Sequence, residues 1–228
     1  MIEKKQVLTF DCYGTLIDWE SGILNALKPI LHSHGVRLSD DQVLERFAHH
    51  EAEVEAGPFM LYQEVLGTVL VRLGKELGFA PGESQIQVFS YSVQDWPAFP
   101  DSAAALEELK QRFKLVILSN ISDELFAYSN LKLGVEFDVV ITAEQVGHYK
   151  PNLAHFHEAL RRLQRPAENI LHVAQSLFHD HVPAKQLGWD SVWINRRLGK
   201  SGSGATPPAQ AKPDLEFPDM AGFAAFVA

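Results

Sequence analysis

The sequence predicts an α/β fold: a parallel sheet with helices on both faces and a helical insertion behind its first strand. Two observations carry that expectation. Apolar, strand-like runs recur at 6–11, 114–119, 137–141, 170–174 and 191–194, and segments of helical periodicity separate them. Between the first run and Pro100 lie about eighty residues with few β-branched runs, too many for a plain crossover between neighbouring strands.

Residues 7 to 16 read Val-Leu-Thr-Phe-Asp-Cys-Tyr-Gly-Thr-Leu, so the first strand ends in Asp11 and breaks at a Gly14-Thr15 turn. The next segments, 19–34, 40–55, 60–77 and 82–93, are helical by pattern. Placed over the strand tips they would form a cap that closes a site from water, giving a core of 1–17 and 95–228 and a cap of 18–94. Asp101 is expected to cap a helix in which Ala105, Leu106, Leu109 and Phe113 share a face, and Lys114 to Ser119 follows as a buried strand. Aromatics at Gly57 to Tyr62 and at Trp96 to Pro100 are read mainly as core packing. The stretch Gly199 to Pro213, rich in Gly, Ser, Ala and Pro, is read as a flexible surface loop before a short C-terminal segment.

With 228 residues and 46% hydrophobic composition the chain can bury a full core. A formal charge of -9 and a pI near 5.5 argue against a nucleic-acid partner and favour a small-molecule substrate. The one cysteine, Cys12, excludes an internal disulfide and a cysteine-based metal cluster, and strand alternation turns it toward the core. No run approaches the roughly 18–20 apolar residues that span a bilayer, and Met1-Ile2-Glu3-Lys4-Lys5 leads straight into a core strand, so a cytoplasmic location without membrane contact is expected. No large apolar stripe commits the chain to a homodimer, which stays an open alternative.

In a parallel sheet the C-terminal strand ends gather on one edge, so four distant segments are expected to meet there. Asp11, ending the first strand, is a candidate nucleophile, with turn capping as the alternative role. Ser119 and Asn120, ending the second core strand, can donate hydrogen bonds to an anionic group. Lys150, fixed by Pro151, can hold Asp11 ionised. Asp180, beyond the strand ending in His172-Val-Ala, can reach back to Lys150 or to a water, or can cap a helix. His179 and His181 lack further ligands, are read as surface or supporting residues, and leave no metal site.

Together, Asp11-Cys-Tyr-Gly-Thr15-Leu, Leu118-Ser119-Asn120, Lys150-Pro151 and Ser176 to Asp180 resemble the four ordered motifs of the haloacid dehalogenase superfamily, across nearly the whole chain. The resemblance implies a Rossmann-like core with a helical cap. Tyr13, where phosphatase members usually carry a second Asp, looks like the type II 2-haloacid dehalogenases. Gln175 stands where magnesium-dependent members usually have an acidic residue, which would leave only Asp11 and Asp180 to hold a hard cation. The implied catalytic set is Asp11, Lys150 and Asp180. Tyr13, Thr15, Ser119, Asn120, Gln175 and Ser176 belong to the implied substrate contacts, and no cofactor is needed. Such enzymes place a halide-binding arginine in the cap; the matching stretch Phe47 to Glu53 lacks one, so His49 or His50 is expected to substitute. The family tyrosine six residues after the lysine is Phe156 here. Two alternatives remain: a Mg2+-dependent phosphatase on the same core, and a non-catalytic binding protein.

Overall fold

The computed structural model describes residues 2–227. One sheet is built from six parallel strands, β1 Val7–Phe10, β2 Lys114–Ser119, β3 Val139–Thr142, β4 Ile170–Ala174, β5 Asp190–Ile194 and β6 Leu215–Phe217, in the order β3-β2-β1-β4-β5-β6. β1 lies between β2 and β4, pairing Leu8 with Leu115 on one side and Leu171 on the other, and all four of its residues are buried. A parallel sheet covered on both faces reads as uninterrupted apolar sequence, which is why these strands were legible as runs. The chain order reverses about β1, and that reversal opens a crevice at its C-terminal tip.

Four helices follow β1 before the chain returns to the sheet: α1 Trp19–Ser33, α2 Asp40–Glu55, α3 Tyr62–Leu77 and α4 Glu83–Ser90. This inserted helical region is the cap. Asp18 caps α1 by accepting from Ser21 N, and Ser39 with Gln42 forms a capping box on α2. On α2 the buried positions are Val43, Leu44, Phe47, Ala48, Glu51 and Val54, one helical stripe that carries a carboxyl in its middle. The two strands of chain joining cap and core run side by side, with an Ile17–Ala98 bridge, Asp18 N bonded to Pro97 O and Phe99 N bonded to Leu16 O.

The core helices are α5 Ser102–Lys110, α6 Asp123–Leu133, α7 Ala143–Val146, α8 Ala154–Leu163, α9 Val182–Gln186 and α10 Met220–Val227, with a π-helical turn over Leu177–His181 ahead of α9. Three expectations need correction. β6 is a sixth strand, too short at three residues to show a period in the sequence. The Gly199 to Pro213 stretch is anchored rather than loose: Gly204, Ala205 and Thr206 are buried, Ala205 N bonds Glu20 in the cap, and Thr206 bonds Gln175. Asp101 precedes α5 without capping it. Its carboxylate instead accepts from Arg196 and from the first amides of α10 at Met220 and Ala221, where a helix N-terminus stabilises negative charge.

Gly22 on α1 is where the cap meets the connecting segment, because a Cβ there would lie 2.3 Å from Cγ of the buried Trp96. Gly22→Ala is therefore expected to destabilise the protein by about 1–3 kcal/mol through overpacking. A shifted urea midpoint at unchanged slope checks this; an unchanged midpoint would mean that the helix and ring separate freely.

Candidate active site

Asp11 is the residue immediately beyond β1, and its amide continues the pairing with β4 through Val173 O. Its two carboxylate oxygens have separate partners: Oδ1 accepts from Lys150 Nζ at 2.9 Å, and Oδ2 accepts from the Thr15 hydroxyl at 2.7 Å. Thr15 Oγ1 in turn accepts from the Gln175 amide, which ties the turn after β1 to the end of β4. The remaining donors of Lys150 go to Asp180 Oδ1 at 2.7 Å and Leu118 O at 2.8 Å, so all three ammonium hydrogens are used. Asn120 fixes the lysine from behind, accepting from Lys150 N and donating to Lys150 O. Asp180 Oδ1 also bonds His172 Nε2 at 2.9 Å; with that nitrogen donating, His172 Nδ1 accepts from Thr9.

Lys150 and Asp180 are wholly buried and Asp11 nearly so. Burial opposes the charge on each, yet the attraction of Asp11 and Asp180 outweighs it at Lys150, whose pKa is raised. Burial likewise works against Asp180, but Lys150 and His172 overcome it and hold its carboxyl well below the usual range. At Asp11 burial wins over Lys150 and pushes the carboxyl up, with Asp180 adding repulsion. The lysine keeps it within reach of the anionic form that a nucleophile needs.

The cap supplies the roof. Trp19, Glu51, Glu55 and Tyr62 face Asp11 across a narrow cavity of about 20 Å³, room for about one water. Tyr62 donates to Glu51 Oε1 at 2.5 Å, and Asn120 Nδ2 donates to Glu55 Oε2 at 3.2 Å. Burial pushes Glu51 up to about 8 and raises Glu55 well above its ordinary value, Glu51 adding to the effect at Glu55. Among the described residues no arginine lines this cavity, and Lys150 is its one lysine. Glu55, Lys150 and His179 also line an outer groove of about 390 Å³ beside Phe59 and Tyr149, the near side of the closed site.

The structure brings together Asp11, Tyr13, Asn120, Lys150, Ser176 and Asp180 around the cavity, with Thr15 directly behind Asp11. Tyr13 presents its ring; its hydroxyl is bonded to Ser129 on α6 at 2.9 Å. Ser176 caps the π-helical turn through His179 N and Nδ1. Four expected residues lie elsewhere. The Gln175 side chain turns outward to Thr206, leaving only its amide in the network. Ser119 Oγ is buried without a partner, and the residue acts through its carbonyl on His155. His49 and His50 project from the far face of α2, where they pair with Glu53 and Glu76, because the helical stripe aims Phe47, Glu51 and Val54 inward instead. His49, His50 and Glu53 also have ligand atoms within 4.8 Å of one another, on that outer surface. His179 and His181 are not surface residues: both are buried, His181 between Ala174 O and Ser191, and His179 at the cavity with burial lowering it to about 4.

Sequence reasoning missed Trp19, Glu51, Glu55 and His172, and read Tyr62 mainly as packing and His179 as a surface or supporting residue. For Glu51 a signal existed: it stands four residues after Phe47 and three before Val54, on an otherwise apolar stripe.

A family model for haloacid dehalogenase-like hydrolases matches residues 5–180. The chain belongs to that family. Among its relatives is the (S)-2-haloacid dehalogenase H-109 of Pseudomonas putida, 25% identical over 209 residues that cover 90% of this chain and 92% of that protein. The fold is shared with an L-2-haloacid dehalogenase at TM-score 0.81 and 23% identity, covering 98% of this chain and all of the other. It is shared too with the L-2-haloacid dehalogenase of Xanthobacter autotrophicus carrying covalently bound chloropropionic acid, at TM-score 0.80, 21% identity and 98% of each chain. In this haloacid dehalogenase-like hydrolase the core holds Asp11 between Lys150 and Thr15, while the cap presents the carboxyls of Glu51 and Glu55.

Lys150→Met removes the only cation between Asp11 and Asp180. It is expected to cost about 3–5 kcal/mol near pH 7, because two buried carboxylates lose their partner. Without the ammonium both carboxyls rise above their unfolded values, so the folded variant takes up protons more readily than its unfolded chain and regains stability as pH falls. Denaturant midpoints for wild type and variant should therefore converge between about pH 7 and pH 4.5; a gap independent of pH would assign the loss to packing.

Proposed function

We propose that this hydrolase displaces halide from C2 of a short 2-haloacid through an ester on Asp11. The observation that carries the reading is the pairing of a buried, lysine-held Asp11 with a position 13 that offers no acid, since the Tyr13 hydroxyl is engaged by Ser129. A leaving group that departs as a stable anion needs no proton, whereas an alkoxide does. The relatedness to (S)-2-haloacid dehalogenases supports the same class of substrate.

In this reading an Asp11 carboxylate oxygen attacks C2 from the side opposite the halogen, the new C–O bond forms as the carbon–halogen bond breaks, and halide leaves with the bonding pair. Water then adds to the Asp11 carboxyl carbon and cleaves the ester at its acyl side, releasing a 2-hydroxy acid and regenerating Asp11 with one oxygen from water. Asp180 Oδ2, buried and without a partner, accepts a hydrogen bond from that water. His179 supplies a donor for the substrate carboxylate: with Nδ1 taking the Ser176 hydroxyl hydrogen, Nε2 carries a free N–H. A cavity sized for about one water admits no haloacid. Entry requires the cap to part from the core, breaking the Asn120–Glu55, Ser122–Gln63 and Tyr149–Met60 bonds.

A phosphate monoester is the poorer fit. Its dianion would face Glu51 and Glu55 under a roof without a cation, and position 13 would give its leaving oxygen no acid.

Halide release from 2-chloro- and 2-bromopropionate is expected to persist in EDTA and to fall by at least about 10³-fold in Asp11→Asn. One turnover in heavy-oxygen water should place the label in Asp11 and not in the first product molecule. Release that needs magnesium, or label appearing directly in the product, would sink the ester route.

A further inference from the structure

The roof above Asp11 has a chemistry of its own. Glu51 and Glu55 stand four residues apart on α2, on one side of the helix, and both contribute to the cavity lining. Each is held by a neutral donor on one oxygen, Glu51 by the Tyr62 hydroxyl and Glu55 by the Asn120 amide, and the other oxygen of each makes no hydrogen bond to the described residues. Both donors prepare their carboxyls as acceptors. Across the cavity Asp180, wholly buried, holds its Oδ2 without a partner. That makes three acceptors converging on a space in which the sole ammonium, on Lys150, has already spent its three hydrogens.

We propose that Glu51 and Glu55 form the seat of a cationic group on the substrate, so that the haloacid this enzyme turns over also carries an ammonium. The inference rests on the reading of this cavity as the place where the substrate reacts. Charge balance favours it without reference to either glutamate: two carboxylates, Asp11 and Asp180, against one ammonium leave the closed site with one surplus negative charge. A simple haloacid adds a second. A substrate with both carboxylate and ammonium adds none, and its cation finds two carboxyls already oriented. In the empty closed site the glutamates lower the remaining cost by keeping their protons, Glu51 up to about pH 8. The arriving ammonium expels at most one of those protons, since a cation at hydrogen-bond distance favours the charged carboxyl but a single positive charge offsets only one. The groups that bear on this titration are Glu55 on α2, Tyr62 on α3, Tyr149 beside them, and Asp11, Lys150, His179 and Asp180 across the cavity.

The test uses binding, so it does not depend on turnover. Propylammonium and propionate, equal in size and opposite in charge, are titrated into the whole protein at constant ionic strength. Readouts are tryptophan fluorescence, since Trp19 lines the cavity, and calorimetry in two buffers of different ionisation heat to count protons released. Saturable propylammonium binding with proton release near neutral pH, tightening toward about pH 9, is expected, with propionate weaker. In Glu51→Gln/Glu55→Gln, and to a smaller degree in each single variant, propylammonium affinity should fall about tenfold or more, as for loss of a charge-assisted hydrogen bond. Melting curves of these near-isosteric variants establish that they are folded.

Propionate binding as tightly as propylammonium, absence of binding by either, or an unaltered affinity in the folded double variant would overturn the proposal. A second arm compares halide release from 2-chloropropionate and 3-amino-2-chloropropionate, with the amino compound expected to have at least about tenfold higher kcat/KM; a preference for the plain acid counts as refutation. If neither compound releases halide while propylammonium binds as described, the dehalogenase reading falls and the cation seat stands.

Discussion

The Lys150 ammonium, bonded at once to Asp11, Asp180 and Leu118 O, is the constraint on which the rest of this molecule depends. Three strand ends contribute to that one contact: β1 delivers Asp11, β2 delivers Leu118, and the turn after β4 delivers Asp180. Two unit charges about 4 Å apart interact by about 4 kcal/mol at an effective dielectric of about 20. A shift of one strand's register would therefore remove an energy comparable with a large share of the stability of a domain. The parallel register around β1 and the charge network enforce each other. The other members of the network, Thr15, Asn120 and His172, spend their hydrogen bonds on keeping these three charges in place.

Core and cap divide the chemistry between them. Groups supplied by the core set the ionisation and direction of Asp11, and none of them comes from the inserted helices. The cap sets what else is in the cavity, through Trp19, Glu51, Glu55 and Tyr62. At the site it is attached by the hydrogen bonds Asn120–Glu55, Ser122–Gln63 and Tyr149–Met60 and by Phe59 and Tyr62 packing on the Tyr149 ring. Farther out, Arg197 grips Glu20 and Asp41, so the chain after β5 clasps the first two cap helices. These polar contacts lie over a hydrophobic cluster that cap and core share, in which Trp19, Phe47 and Tyr62 of the cap join Tyr13, Leu16 and Tyr149 of the core.

What was legible in the sequence follows from the range of the physics. Asp11 and Asp180 could be found because each lies beyond an apolar run whose tip joins the others at one edge of a parallel sheet, and Lys150 because Pro151 and a helix start follow it. The four cap helices were legible because their periods are long. β6 has three residues and no period to detect, and Asp101 carries the signature of a local cap although its partners, Arg196 and the start of α10, lie about a hundred residues away. His49 and His50 were expected at the site by alignment along the chain, but a helix assigns direction by rotation, and the stripe of Phe47, Glu51 and Val54 had already decided which residues point inward. Gln175 was judged by its side chain, whereas the network uses its amide, a donor present whatever residue stands there.

Closure of the cap ties these observations together. In open solvent an extra carboxylate near Asp11 is screened; inside a cavity sized for about one water it is not, since the energy of a charge pair grows as the effective dielectric falls. Under the proposed function, so narrow a site would select on net charge as well as on shape. A roof built from arginine would draw an anion in and hold it. A roof built from Glu51 and Glu55 admits an anion only while both stay protonated, and tolerates its own ionisation only when something positive arrives between them. Under the proposed function, the residues on one face of α2 would set the substrate charge that Asp11 below can meet.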